Sequence, residues 1–182
     1  MKRRLIMWIP VLFIAIFALG CSENVPPAEE ATPATDAAVT EGATSDTVDD
    51  LLSAHMAAEA MLTAHFVAAA VKAGMSAEEI NGALALVADG SAIGEFWISD
   101  ENGQVVYTNF KGAEFSFPTD PEADTQAAPF ARLLTGDQAV VDQGFMPRDL
   151  DGMVFKYVGA AGVDQARIVQ VGVAAPQDSD AP

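Results

Sequence analysis

The chain has 182 residues, enough for one domain with appendages rather than two full domains. Nine Lys and Arg stand against 26 Asp and Glu, a formal net charge of −17, and a field of that sign repels phosphates, so nucleic acid is excluded as a partner. One cysteine excludes an internal disulfide, and two histidines leave little material for nucleophilic or metal chemistry.

Residues 1–20 have the grammar of an export signal: Lys2, Arg3 and Arg4, then an apolar run from Leu5 to Leu19 interrupted only by Pro10. That run is ~15 residues, short of the ~20 a spanning helix needs. The following "Ala18-Leu19-Gly20-Cys21" resembles a bacterial lipoprotein box, with Ala18 where that family usually has Leu. The resemblance implies a signal peptide cleaved before Cys21 and a membrane anchor through lipid on Cys21. An uncleaved anchor and a plain signal peptide are the alternatives. Ser22 in place of Asp favours the outer membrane, giving a cell-envelope location on the periplasmic side. Loss of residues 1–20 leaves 6 bases against 26 acids, a net −20.

Residues 21–45 hold Pro, Ala, Thr and acids without apolar periodicity and read as a disordered tether. At ~5–6 Å times the square root of its length, such a tether holds a domain very roughly 25–30 Å from its anchor. The folded part is expected over 46–175, with a loose tail at 176–182. A long helix is predicted over 48–73, with Thr47 as cap, Asp49 and Asp50 in the first turn and Gly74 after its end. Its apolar stripe is read as Leu51, His55, Ala58, Leu62, His65 and Ala69. "SAEE" opens a second helix: Ser76 and Glu79 form a capping box, Met75 and Ile80 a staple, and Asp89-Gly90 the end.

The period then changes from helical to strand-like. Residues 95–100 and 104–109 form a hairpin across a two-residue Asn102-Gly103 turn. A Pro-punctuated stretch, 110–149, contains a short helix over 129–134 closed by Gly136 and a strand at 139–142. A last hairpin pairs 153–158 with 167–173. The fold class is α+β: a long N-terminal helix and a short helix on one face of an antiparallel sheet of about five strands.

Catalysis finds little support. His55 and His65 are ~15 Å apart along one helix and cannot share a metal from it. They read as partly buried helix-face residues, with Met56 and Met61 as core filler. The pairs Asp49-Asp50 and Glu78-Glu79 are explained by their helix-start positions. Asp120, Glu122 and Asp124 alternate in a Pro-containing loop without an EF-hand pattern. No catalytic residue, cofactor or metal is therefore assigned. Five of the six bases after residue 20, Lys111, Arg132, Arg148, Lys156 and Arg167, fall in the sheet half. With Trp97, Tyr107 and Tyr157 they could build a pocket for a small anionic molecule, or serve as ion-pair partners for abundant acids. Strand parity puts Val154, Lys156 and Val158 on one face and Phe155 and Tyr157 on the other, and leaves open which face enters a pocket.

"FWISDENGQVVYTN", "FPTDPEADTQAAPFARLLTG" and "KYVGAAGVDQARIVQVG", with the two helices before them, resemble the extracytoplasmic Cache (PAS-like) sensor domains of bacterial chemoreceptors and sensor kinases. The resemblance spans about 48–174. It implies a pocket between the sheet and the loop over it, faced or rimmed by Trp97, Tyr107, Arg132, Arg148, Lys156 and Tyr157. It also implies a role in signal transduction such as chemotaxis. Such domains usually sit between two membrane helices, and no second spanning segment follows this one. The expectation is therefore a lipid-tethered, non-enzymatic sensor domain working with a separate receptor or kinase partner, with homodimers through the long helix. The rival is a structural or interaction lipoprotein of the same fold without a small ligand. A hydrolase would need His55 or His65 beside a Ser or Thr in a cleft.

Overall fold

Helix formation starts earlier than the sequence suggests. In this computed structural model, which describes residues 41–176 except Ala113 and Leu150, α1 runs over Glu41–Lys72. Thr47 lies inside it rather than capping it, and residues 41–45 are helical although they were assigned to the tether. The expected signal peptide, Cys21, the rest of the tether and all of the tail except Pro176 lie outside the described residues. Gly74, at φ 78°, ends α1 in the left-handed conformation. α2 (Ala77–Gly90) opens with the capping box as read: Ser76 Oγ accepts from the Glu79 N–H at 3.2 Å, and the Glu79 carboxylate accepts from the Ser76 N–H at 2.8 Å. The Ser76 N–H, and then the Ser76 hydroxyl at 2.9 Å, donate to the Glu79 carboxyl and hold it below its ordinary value.

β1 (Glu95–Ser99) and β2 (Val105–Thr108) follow as an antiparallel pair. The connection differs from the expected two-residue turn. Asp100 Oδ1 accepts from the N–H groups of Asn102 and Gln104, Gly103 takes φ 83°, and the register slips between Ile98 and Ser99. This is a three-residue loop with a bulge, in which Gly103 supplies the positive φ. A Cβ on Gly103 would also stand 2.3 Å from the Phe117 carbonyl oxygen. A 3-10 turn (Ala128–Ala131) runs into a one-turn helix, α3 (Arg132–Thr135), stopped by Gly136 at φ 78°. β3 (Val140–Pro147), β4 (Val154–Ala161) and β5 (Ile168–Ala174) complete the sheet, and β3 is twice the length expected. All pairings are antiparallel, in the order β2-β1-β5-β4-β3. The molecule is α+β, as its sequence indicates.

Strand alternation divides the core in two. On one face α1 and α2 bury Met56, Ala60, Val67, Ile80 and Leu84 against Phe96, Ile98, Val158 and Val171. On the other, Trp97, Phe155, Tyr157 and Ile168 pack with Phe117, Phe130 and Leu133. The helical turn 128–135 thus covers the face opposite α1 and α2, rather than sharing theirs.

The α1 stripe is the largest departure. Leu51, His55, Ala58, Leu62, His65 and Ala69 are all exposed, and the helix instead buries Met56, Ala60, Thr63, Ala64, Val67 and Ala70. Met61, expected in the core, is half exposed. By length and composition the segment Asp46–Lys72 could also cross a bilayer. In this fold its inner face is packed on the sheet.

Candidate functional site

The loop after β2 is anchored at both ends. Asn109 accepts from the Phe96 N–H at 2.8 Å and donates to the Gly94 carbonyl at 2.9 Å. Residues 115–117 then lie alongside the hairpin, with the Val105 N–H donating to Phe115 O and the Phe117 N–H to Gly103 O. Between this loop and the sheet is an open cavity of about 810 Å³, within the ~300–1,000 Å³ typical of small-molecule sites. Its aromatic wall is continuous. Trp97 stacks on Phe110 at 5.8 Å and meets Phe115 edge-on at 5.6 Å, and Phe115, Phe117 and Phe130 follow in edge contacts.

Below the wall is a buried polar network. Glu95, only 3% exposed, accepts from Trp97 Nε1 at 2.9 Å and from the Tyr157 hydroxyl at 2.9 Å, and pairs with Arg148 Nη1. Arg148 also grips Asp151 with two parallel bonds of 2.6 and 2.7 Å and lies 4.2 Å from the centre of the Phe155 ring. The Arg148 bonds, then the Met153 N–H, hold the Asp151 carboxyl at about 2. Asp151 above all, with Tyr157 and Glu95, raises the Arg148 guanidinium against the opposing effect of burial, and burial pushes the Tyr157 phenol well above its ordinary value.

A second polar group, next to Asp149, also lines the cavity. Gln143 Nε2 donates to the Gln126 carbonyl at 2.9 Å, and Gln126 Oε1 accepts from the Asp149 N–H at 3.1 Å. These bonds fix both amide orientations. They leave Gln126 Nε2 and Gln143 Oε1 in the wall as a buried donor and acceptor with no partner among the described residues.

Of the six residues singled out from sequence, Trp97, Arg148 and Tyr157 line this cavity. Tyr107 does not: it packs with the core under α1 and α2, 6.0 Å from the Arg167 guanidinium. Lys156 does not either. It is buried on the α1 face, with Asp142 at 3.1 Å and Asp49 at 3.6 Å. Arg132 pairs with Glu122 at 3.3 Å on the surface, outside the cavity lining. Lys111 stands exposed in the lining, and Arg167 is buried against Asp164. The sequence reading missed Phe110, Phe115, Phe117, Phe130, Gln126 and Gln143. Five phenylalanines within the Pro-punctuated stretch 110–149, four of them in the cavity lining, were the available signal, because loops seldom need that much apolar surface for themselves.

His55 and His65 are exposed on α1, and among the described residues no group of three His, Cys, Asp or Glu side chains is arranged to hold a metal. Asp120 Oδ1 accepts from the Glu122 N–H, closing a turn. No family model, no curated protein and no solved structure matches this chain.

Proposed function

We propose that this chain is a lipid-anchored, extracytoplasmic sensor-like domain that binds one small molecule in the cavity under the 109–127 loop and acts with a separate signalling partner. The observation that carries the reading is the cavity itself, about 810 Å³ of space walled by Trp97, Phe110, Phe115 and Phe130. The order of elements supports it too, since it follows the Cache (PAS-like) pattern that the sequence resembles. The export-signal grammar and Cys21 support the anchor and the envelope location.

The chemistry of the cavity revises the ligand. The anionic expectation rested on Lys111, Arg132, Arg148, Lys156 and Arg167, of which Arg132 and Arg167 are paired with Glu122 and Asp164 outside the cavity lining. Arg148 is already held by two carboxylates and Lys156 is on the opposite face. What the cavity offers is stacking surface, the amides of Gln126, Gln143 and Gln170, and only Lys111 as a cation without a carboxylate partner among the described residues. We read the ligand as small, planar and without net negative charge, with donor and acceptor atoms for the amides.

A thermal-shift screen of the full chain against small carboxylates, amino acids, purines and aromatic amides tests this. A ligand at about 100 times its Kd stabilises by ~2.7 kcal/mol. The expected result is a shift with a purine or aromatic amide that is lost in Trp97→Ala. A shift with carboxylates alone would restore the anionic ligand. No shift across the panel would leave the interaction lipoprotein without a small ligand as the better reading.

A further inference from the structure

β5 is the middle strand of the sheet, and its sequence, IVQVGVA, holds a single polar side chain. That residue, Gln170, is 6% exposed and lines the cavity. In register it stands between Trp97 of β1 and Gly159 of β4. The space that Gly159 leaves is filled by Phe130 and Leu133. Directly opposed residues on one face of a sheet are neighbours, so the Trp97 and Phe130 rings flank the Gln170 side chain.

A polar group at such a position is ordinarily paired, because burying an amide away from water without a partner opposes folding. Gln126 and Gln143 follow that rule in part, each with one amide atom bonded to the wall. Gln170 does not. Its side chain makes no hydrogen bond to any described residue. Nor are its amide nitrogen and oxygen sealed in protein, as Gln126 Nε2 and Gln143 Oε1 are, so both open onto the cavity. Its strand neighbours Ile168, Val169 and Val171 are fully buried apolar side chains, and folding alone favours another at 170. The reason for an amide there lies in what the cavity holds.

We propose that Gln170 selects the ligand, and that the ligand is a flat ring whose edge carries a hydrogen-bond acceptor beside an N–H donor, as in a cyclic amide or a nucleobase. The inference rests on the reading of the cavity as a small-molecule site. A carboxamide presents one acceptor and one donor side by side. A ring edge of that kind meets it with two parallel bonds, the pairing by which Gln and Asn side chains read adenine. Trp97 and Phe130 supply apolar surface for the body of the ring. A carboxylate offers acceptors only and sets its charge against the Gln170 oxygen, while an ammonium group offers donors only and leaves the Gln170 nitrogen unpaired. An edge with one of each satisfies both amide atoms.

Isothermal titration calorimetry of the full chain in a non-ionic detergent tests the proposal with carbostyril, N-methylcarbostyril and quinoline. These flat bicyclic rings are alike in size, and only carbostyril has a carbonyl beside an N–H. Carbostyril is expected to bind at least about tenfold more tightly than either of the others. Gln170→Met, similar in length and without the amide, should abolish that preference. It should also leave the Tm of the free protein unchanged or raised, since it removes a buried amide that no protein group pairs. Equal binding of all the rings to the wild-type chain would overturn the inference and leave the cavity reading standing. Binding of none would overturn it too, and the thermal-shift panel then decides the cavity reading separately. A preference that survives Gln170→Met would overturn it by assigning the edge to another side chain. A Tm lowered by that substitution would do so by making Gln170 a structural residue.

Discussion

Tyr157 shows how one side chain links the cavity wall to stability. Its ring lies in the wall, and its hydroxyl donates to Glu95 at 2.9 Å. Burial raises its phenol above the ordinary 10.0, only partly opposed by the bond from Arg148. The folded protein therefore holds this proton more tightly than the unfolded chain. That contribution is complete below pH 10 and is lost as pH rises from 10 toward the folded value. Tyr157→Phe should cost about 1 kcal/mol at neutral pH, through the lost bond to Glu95, and should flatten the alkaline fall in stability. Urea denaturation at pH values on either side of 10 measures both. Identical alkaline slopes for the two proteins would show that Tyr157 titrates as in the unfolded chain. Asp151 acts at the acid end with opposite sign: its stabilising effect is present above 3.8 and is lost as pH falls to about 2.

At the scale of elements, small residues in the central strands decide what can stand on the sheet. Gly159 of β4 leaves room for Phe130 and Leu133, and a Cβ there would come within 2.8 and 2.9 Å of them. Gly172 of β5 lies under the Tyr157 ring, where a Cβ would be 2.5 Å from Cε1 and 3.3 Å from Glu95 Cβ. Neither glycine has a positive φ, so their role is space rather than backbone conformation. We expect Gly172→Ala to lift the Tyr157 ring, strain its bond to Glu95 and cost ~1–3 kcal/mol. The midpoint of chemical denaturation reads the cost, and a loss of ligand response in the same variant would tie the network to the cavity. An unchanged midpoint would mean that the ring moves without penalty.

For the molecule as a whole, the excess of acids sets the response to salt. Arg148, Lys156 and Arg167 are 8, 1 and 3% exposed, so salt screens their pairs poorly. Among the described ion pairs only Arg132–Glu122 has both partners well exposed, at 43 and 79%. Repulsion among the acids, spread over the surface, is the larger screened term at a net −17. Raising sodium chloride from about 20 mM to about 0.5 M, which shortens the Debye length several-fold, should therefore raise Tm. A fall in Tm would mean that surface ion pairs outweigh the repulsion.

The features legible in the sequence are those whose physics acts within about four residues along the chain. The Ser76–Glu79 capping box, the stop at Gly136, the hairpin around Gly103 and the β4–β5 pair all follow from caps, turns and alternation. Together they determined the α+β class. Alternation also separated Lys156 from Tyr157, but not which of them meets the cavity. Only the tertiary structure decided that, because the answer depends on which sheet face α1 covers. It likewise overturned the expected stripe of α1, packing Met56 and Ala60 on the sheet and leaving Leu51, His55, Leu62 and His65 outside. And it brought Glu95 to Arg148 across 53 residues of sequence, turning an expected anion-binding cation into half of a buried pair. The charge that a side chain offers to a ligand is set by its neighbours in space, and those are fixed only when the strands have paired.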